Sequence, residues 1–437
     1  SPHHALANGR DPEATARRYF FGVEHGLKNR LPIKLIGLVV TAMVVAMAPV
    51  AGCGDSQPAR APSTSSKADV LPPTVTPTPP ASEFAPIGQP EPFMIDDLEL
   101  VGLDGWINSD PLSVTDLIGS GRVVLLDFWT YTCVNCVRTF PYLSAWHETY
   151  REHGLTVIGV HSPEFEFEKL PLNVRRAVER YGLTYAVALD GNKETWERYG
   201  NRFWPSKYLI GASGEVVFRH FGEGGYDETE SVIRAELEAA GNDLSGVARS
   251  SVAEPRRSEA AHTATRELYG SYKNNYLSDG LYAGQDVYYE TPDVAVEYTD
   301  DGTRRRGQFY LDGVWTNSLN AVVTANRSDT DSAYFAFDFL ATSVNSVLGN
   351  SQPDLAGAGQ DNHEVVVELD GRPLSPDEAG ADIEWDSEGN SVLQIGETRL
   401  YQIVALPEFG NHELKLTTNS EGLAVYTITF GIFESGP

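Results

Sequence analysis

The stretch that decides the fold is Trp129-Thr-Tyr-Thr-Cys133-Val-Asn-Cys136-Val-Arg-Thr-Phe-Pro141, which contains two of the three cysteines in the chain. Before it, residues 123–129 form an apolar run with the length of a buried strand. After it, apolar residues recur at helical spacing over residues 139–150. The pattern therefore predicts a cysteine pair at the junction of a strand and a helix.

A cysteine at the start of a helix is suited to redox chemistry, because the free N–H groups and the positive end of the helix dipole stabilise its thiolate. We predict that Cys133 is this nucleophile. Cys136 lies one turn further along and is predicted to be buried, where it can attack a mixed disulfide formed by Cys133. We interpret the pair as a catalytic dithiol.

Two other interpretations of the pair stay open, half of a zinc site and a structural disulfide. A closed zinc site needs four ligands, and the sequence has no second Cys-x-x-Cys and no neighbouring Cys/His cluster. A disulfide that closes so short a loop would restrain the unfolded chain very little. We predict neither a metal site nor a cofactor.

Cys53 has a different predicted role. Residues 35–52 are uncharged, follow three basic residues, and end in Val-Ala-Gly immediately before Cys53. Such a pattern is typical of an export signal. The Val-Ala-Gly-Cys ending resembles the bacterial lipobox, which implies lipid attachment at Cys53 and cleavage before it. We therefore expect an extracytoplasmic protein that is lipid-anchored to the cell membrane, with a retained transmembrane helix as the alternative.

The composition agrees with an exported protein. The 437 residues carry a formal net charge of −28 at pH 7, which excludes a role in binding nucleic acid. With Cys53 lipidated, the folded part has no cysteines besides the pair, so we expect no structural disulfide. Stability must then come from core burial, and the length suits about two domains.

Changes in composition along the chain predict five segments. Residues 1–52 are the export signal with an upstream extension, and residues 53–92 are a disordered, lipid-anchored tether rich in Pro, Ser and Thr. Residues 93–242 are the redox domain, residues 243–262 a linker, and residues 263–437 a β-sandwich domain.

The redox segment alternates strands with helices, which predicts an α/β fold with a parallel core and an antiparallel edge hairpin. The predicted strands are residues 123–129, 155–161, 185–189, 206–210 and 216–222, and the predicted helices are residues 139–153, 173–181, 193–199 and 228–240.

Four motifs in this segment resemble the thioredoxin fold, and in detail the TlpA-type domain of DipZ-like proteins. They are Asp-Phe-Trp-Thr-Tyr-Thr-Cys at 127–133, Gly-Val-His-Ser-Pro-Glu-Phe-Glu-Phe-Glu at 159–168, Tyr-Gly-Asn-Arg-Phe-Trp-Pro-Ser-Lys-Tyr-Leu-Ile at 199–210 and His-Phe-Gly-Glu-Gly-Gly-Tyr at 220–226. The resemblance covers nearly the whole predicted domain.

The resemblance also implies roles for single residues. Trp204-Pro205 would be the cis-prolyl turn facing the dithiol, with Trp129, Trp204 and Pro205 as substrate-binding residues. Asp127 would be the buried acid that takes the proton from Cys136, whereas a solvated aspartate at a strand end is the alternative.

Two further features near the dithiol are less specific. Glu164, Glu166 and Glu168 alternate with phenylalanines, which suits solvated carboxylates at an amphipathic edge as well as it suits residues that tune the thiols. We interpret His161 as structural.

The last segment reads as short strands separated by turns, which predicts an all-β sandwich of the jelly-roll or carbohydrate-binding-module type. Its ending over residues 400–404 and 424–431 resembles the domain that follows the redox domain in DipZ-like proteins. The predicted strands are residues 286–290, 294–298, 307–311, 321–325, 333–339, 364–369, 399–405, 412–418 and 424–432. A sugar-stacking platform is one interpretation of its aromatic residues, which are Tyr269, Tyr272, Tyr276, Tyr288, Tyr289 and Trp315, and a place in the core is the other.

Together these features predict a membrane-anchored thiol–disulfide oxidoreductase that acts on cysteine-containing exported client proteins. Residues Val134 and Asn135 bring no positive charge to stabilise a thiolate, which favours a reductant. The sequence shows no multi-span segment of the DipZ kind, so we expect a separate membrane electron donor of the CcdA type.

Two alternatives from other classes stay open. A thiol peroxidase is suggested by Thr130, three residues before Cys133. The other is a cell-envelope glycan-binding protein in which the redox domain is accessory.

Overall fold

The computed structural model describes residues 95, 97–253, 261–277, 281–325, 331–351 and 362–433. The predicted export signal and tether, including Cys53, lie outside the described residues. Among the helices that are described, none combines the length and the apolar character needed to cross a membrane.

The first sheet has six strands in the order β1-β4-β3-β2-β5-β6. Strands β2, β3 and β4 are parallel, and β5 and β6 form the antiparallel edge hairpin that the sequence predicted. Strand β1 pairs antiparallel with β4 and was not predicted. The strands are β1 (Gly105–Ile107), β2 (Val123–Trp129), β3 (Leu155–His161), β4 (Ala186–Leu189), β5 (Ser206–Ile210) and β6 (Val216–Phe221).

Five α-helices accompany this sheet, and the four predicted helices are among them. The helices are α1 (Val114–Gly119), α2 (Val134–Tyr150), α3 (Pro171–Arg180), α4 (Glu194–Arg198) and α5 (Tyr226–Ala239). Helix α2 begins at Val134, five residues earlier than predicted, with Cys133 as its N-cap. Residues 166–169 form a 3₁₀ turn in place of a regular helix.

Strand β2 is the centre of this domain, and all seven of its residues are buried. Alternate side chains point to opposite faces of a strand, so Leu125 and Trp129 pack on the side of α2 while Leu126 and Phe128 pack on the side of α1 and α4. Asp127 shares the face of Leu125 and Trp129. The strand therefore directs one carboxylate towards the helix that carries both thiols.

The second sheet has eleven strands, and every pairing between them is antiparallel. This confirms the predicted all-β class. The strands are β7 (Leu268–Tyr269), β8 (Ala295–Tyr298), β9 (Phe309–Asn317), β10 (Val322–Thr324), β11 (Ala333–Asn350), β12 (His363–Leu369), β13 (Arg372–Pro373), β14 (Glu384–Trp385), β15 (Ser391–Ile395), β16 (Arg399–Thr418) and β17 (Leu423–Gly431), with helices α6 (Tyr272–Leu277) and α7 (Val287–Glu290).

Two long strands distinguish this sheet from the predicted set of short ones. The predicted strands 399–405 and 412–418 are parts of β16, and the prediction 333–339 covers less than half of β11. A register shift between Ala341 and Ser343 interrupts the ladder of β11 with β16, and β-bulges of this kind bend strands. Strand β11 pairs with both β17 and β9, so β11, β17, β10 and β9 form a closed circuit.

The predicted strand over residues 286–290 is wrong, because Val287–Glu290 is the short helix α7. Valine and tyrosine favour strands, but a run of five residues is too short for periodicity to separate strand from helix. A tertiary contact fixes the helix, since Asn317 donates a hydrogen bond from Nδ2 to the carbonyl oxygen of Tyr288 at 2.7 Å.

The two domains share one hydrophobic cluster. Ala321, Val347, Leu400, Ala424 and Tyr426 of the β domain belong to the cluster that contains the apolar residues of α2 and α5. The described part of the predicted linker also packs on the redox domain, where Leu244 is buried and the Tyr142 hydroxyl donates to the Ala253 carbonyl at 2.8 Å.

Candidate dithiol active site

Cys133 is the N-cap residue of α2, with an extended backbone at φ −79° and ψ 110°. Its Sγ accepts a hydrogen bond from the backbone N–H of Cys136 at 3.4 Å. Both thiols are free, and Cys133 is half-buried whereas Cys136 is fully buried. The strand-to-helix junction, the half-buried first thiol and the fully buried second thiol all agree with the predicted geometry.

The environment of Cys136 keeps it protonated at neutral pH. Burial raises the pKa of its thiol well above the ordinary value, and the neighbouring Cys133 and Asp127 raise it further. Cys136 therefore needs a proton acceptor before it can attack a disulfide.

Asp127 lies opposite Lys207 in the antiparallel ladder of β2 and β5. Both side chains are fully buried, with 4.0 Å between Lys207 Nζ and Asp127 Oδ1. Neither carboxylate oxygen of Asp127 has a hydrogen-bond partner among the described residues. Burial raises the pKa of Asp127 to about 7, and the ammonium group of Lys207 opposes that rise. The alternative of a solvated Asp127 therefore does not hold.

Lys207 is a site residue that the sequence reasoning missed. Burial lowers the pKa of its ammonium group, while the negative charge of Asp127 raises it. The signal was available, because a lysine inside the buried strand Ser206–Ile210 needs an acidic partner.

Tyr185 adds a third polar group to this buried region. Its hydroxyl has no hydrogen-bond partner among the described residues, and its pKa is raised well above the ordinary value by burial, with Asp127 and Cys136 contributing. The face behind Cys136 thus holds a carboxyl, an ammonium and a phenol in an otherwise apolar setting.

The Trp204–Pro205 peptide bond is cis, as the resemblance implied. The Trp204 indole N–H donates to the Ser162 carbonyl at 2.9 Å, and Lys193 Nζ lies 4.4 Å from the centre of the indole ring. Trp204 is half-buried and Pro205 is buried.

Trp129 is fully buried and packs edge-to-face against Phe140 and His161. Of the three predicted substrate-binding residues, Trp204 therefore has the accessible side chain.

The three alternating glutamates have different environments. Glu166 is exposed and pairs with Lys169 at 2.9 Å. Glu168 is fully buried, and its carboxylate accepts hydrogen bonds from the Thr132 hydroxyl at 2.6 Å and from the backbone N–H groups of Glu164 and Phe165 at 2.6 and 2.9 Å. Sequence periodicity alone did not separate them, because Glu166 and Glu168 share the same alternation.

His161 is buried, and its ring stacks on that of Tyr131 at 5.6 Å. Burial lowers its pKa to about 3, so the ring is neutral, in agreement with the structural interpretation. Its Nε2 lies 3.5 Å from the hydroxyl of Thr130, which is fully buried.

The aromatic residues weighed as a sugar-stacking platform differ in burial, since Tyr269, Tyr272 and Tyr289 are half-buried. Trp315 and Tyr288 are buried, and the Trp315 indole N–H donates to the Asp312 carbonyl at 2.8 Å. Tyr276 has no described side chain. Within the described residues, no group of His, Cys, Asp and Glu side chains is arranged to hold a metal ion.

Comparison with known proteins assigns both domains. Residues 107–237 match the Redoxin family, and residues 266–431 match the family described as thioredoxin like C-terminal domain. Protein DipZ of Mycobacterium tuberculosis is 33% identical over 337 residues, which cover 76% of this chain and 42% of DipZ. The chain thus spans less than half the length of that relative.

The redox domain also resembles the thiol-disulfide oxidoreductase ResA of Halalkalibacterium halodurans. The identity is 32% over 130 residues, which cover 30% of this chain and 65% of ResA. The dithiol therefore belongs to a domain of the thioredoxin-like thiol-disulfide oxidoreductase class. The chain thus combines a redoxin region with a thioredoxin-like C-terminal region, and its similarity to DipZ and ResA supports a DipZ/TlpA-like protein.

Proposed function

We propose that this protein reduces disulfides in exported client proteins through Cys133 and Cys136. The observation that carries the proposal is the pairing of a half-buried thiol, Cys133 at the N-cap of α2, with the fully buried thiol of Cys136, whose backbone N–H donates to the sulfur of Cys133. This asymmetry gives the two cysteines different tasks.

The reaction consists of two thiol–disulfide exchanges. The thiolate of Cys133 attacks one sulfur of the client disulfide, forms a mixed disulfide, and releases the other client sulfur as a thiolate that takes up a proton. Cys136 then loses its proton and attacks the sulfur of Cys133. The second client thiol leaves, so the client gains two electrons and the Cys133–Cys136 pair becomes a disulfide.

Asp127 is the proposed acceptor of the Cys136 proton. A carboxyl group with a pKa of about 7 is divided between its two forms near neutral pH, which is where a general base works best. Lys207 keeps part of the population ionised, because its positive charge opposes the effect of burial.

The proposed reducing direction is supported by the raised pKa of Cys136, because a thiol that is hard to deprotonate adds little thiolate stabilisation to the reduced pair. A dithiol oxidant of the DsbA kind has a stabilised reduced form. Here burial raises the pKa of Cys136, and the nearby Arg138 is already engaged by Glu223 at 2.7 Å. Re-reduction would then need two electrons from a thiol donor, for which a membrane protein of the CcdA type is the proposed source.

We also propose that the protein is held at the outer face of the cell membrane by lipid on Cys53. The support is the lipobox-like Val-Ala-Gly-Cys sequence after an uncharged apolar stretch. A tether rich in proline would let the redox domain reach clients away from the bilayer.

The division of labour between the thiols can be tested by trapping. Cys136→Ala removes the resolving thiol, so mixed disulfides between Cys133 and clients should accumulate and appear on non-reducing gels followed by mass spectrometry. Cys133→Ala should trap none. Equal trapping by the two variants would reverse the assignment.

Substitution of Asp127 tests the proton transfer. Asp127→Asn should slow resolution on the order of 10²-fold, so that mixed disulfides accumulate even with both cysteines present. The carboxylate is the active form, so the resolution rate of the wild type should rise as the pH passes through about 7 and the rate of the variant should not. Single-turnover reduction of insulin between pH 6 and 8 measures both.

The matched control is Asp116→Asn, which changes an exposed aspartate on α1 and should behave as the wild type. If Asp127→Asn retains both the rate and its pH dependence, Asp127 has only a structural role.

The anchor can be tested in cells. Cys53→Ser removes the thiol to which lipid is attached, so the protein should appear in the soluble extracytoplasmic fraction or remain uncleaved. Processed Cys53→Ser protein that still requires detergent for extraction would contradict the lipid anchor.

A further inference from the structure

The segment of residues 164–168 lies between the β domain and the residues that precede α2, Thr132 and Cys133, and it contacts both sides. It follows β3 and includes most of the 3₁₀ turn Glu166–Lys169, in which the Glu168 N–H donates to the Phe165 carbonyl at 3.1 Å. Side chains from the two domains therefore fix its position.

On the dithiol side, the contact is made by Glu168. Its buried carboxylate accepts the hydroxyl proton of Thr132, the residue immediately before Cys133, at 2.6 Å. The other carboxylate oxygen accepts the N–H groups of Glu164 and Phe165, so Glu168 joins the two ends of the segment to the start of α2. Burial raises the pKa of Glu168, and these hydrogen bonds oppose the rise because they stabilise the carboxylate form.

On the side of the β domain, aromatic rings make the contact. Phe165 and Phe167 stack on each other at 5.4 Å, and the ring of Tyr426 meets both edge-to-face at 5.4 and 5.0 Å. All three rings are buried. Aromatic pairs with this geometry stabilise a contact beyond the area that they bury.

Tyr269 of strand β7 makes a polar contact beside these rings. Its hydroxyl donates to Glu164 Oε1 at 3.1 Å, across 105 residues of sequence. Glu267, two residues before Tyr269 on the same chain segment, also interacts with this hydroxyl, and its Oε1 accepts the Thr427 hydroxyl at 2.9 Å. One phenol hydroxyl has a single proton to donate, so the two carboxyl groups compete for it.

The charges around this contact favour a proton on one of the two carboxyl groups. Burial raises the pKa of Glu164 to about 8, and the negative charges of Glu267 and Glu168 raise it further. Lys193 is the cation that opposes this rise, and it faces Asp190 and Lys273 as well. Below about pH 8 the carboxyl group of Glu164 carries a proton, so it does not repel Glu267. Above this pH both groups are carboxylates and repel each other.

We propose that the β domain is a positioning part of the redox site. Tyr269 and Tyr426 hold residues 164–168, and Glu168 in turn holds Thr132 and therefore the start of α2 at Cys133. The inference deepens the proposed function, because it assigns the second domain a role in the reactivity of the same thiol. A chain of packed and hydrogen-bonded side chains is the physical means by which such coupling acts.

The test measures the reactivity of Cys133 in the full chain and does not depend on any client. The reduced protein is alkylated with iodoacetamide, and the rate at Cys133 is followed by mass spectrometry from pH 6 to 10. Tyr269→Phe and Phe165→Leu each remove one contact of the segment and keep most of the side-chain volume. Both should slow alkylation of Cys133 at pH 7 by about 2- to 30-fold, because the helix start that stabilises its thiolate is held less firmly.

The matched control is Tyr334→Phe, which removes a hydroxyl of the same domain that donates to Asp300 at 3.3 Å, away from the redox domain. It should leave the alkylation rate unchanged. Glu164→Gln provides a second readout, since an amide still accepts the Tyr269 hydroxyl but does not titrate. The wild-type rate per thiolate should fall as the pH passes through about 8, and the Gln variant should lose that step.

Rates in Tyr269→Phe and Phe165→Leu equal to that of Tyr334→Phe would overturn the inference, even if both variants melt at lower temperature. A wild-type step near pH 8 that persists in Glu164→Gln would overturn the role of Glu164. This result is distinct from a failure of the proposed function. A protein that reduces no client disulfide would still show the expected changes in the alkylation rate of Cys133.

Discussion

Complete burial of strand β2 is the constraint on which the redox site depends. Its apolar side chains each contribute about 1.5–3 kcal/mol by leaving water, and both faces of the strand are covered by helices. The strand therefore cannot slide or turn over without exposing this surface. The strand ends at Trp129, and Cys133 follows four residues later at the start of α2. The strand's fifth residue, Asp127, lies on the face below Cys136.

The same burial sets the chemistry of the site. A carboxyl group and an amine that would be charged in water lie 4.0 Å apart without other hydrogen-bond partners among the described residues. Burial raises the pKa of Asp127 and lowers that of Lys207, and the attraction between the two charges opposes both shifts. This pair lowers the free energy of unfolding relative to an apolar pair of the same volume, because an apolar pair has no charged groups to desolvate. In exchange for this loss of stability, the site has a carboxyl group that titrates near neutral pH next to a thiol that must lose a proton.

The local features of the site were accessible from the sequence, and the long-range ones were not. The strand, the place of Cys133 between strand and helix, and the order of the thiols follow from the sequence, although apolar periodicity put the first residue of α2 five positions too late. The contacts of Lys207 with Asp127 and of Tyr269 with Glu164 join residues 80 and 105 positions apart, and no local pattern encodes them. Likewise, Glu166 and Glu168 look alike in sequence, and only the fold exposes one and buries the other.

The central claim is that Cys133 and Cys136 form a reversible, reducing dithiol couple, and the reduction potential of the pair tests it most directly. Equilibration of the purified protein with a graded dithiothreitol buffer, read by thiol alkylation and mass, should give a two-electron transition nearer to the value of thioredoxin, about −270 mV, than to that of DsbA, about −120 mV. A potential close to the DsbA value, or no reversible transition at these two cysteines, would contradict the account.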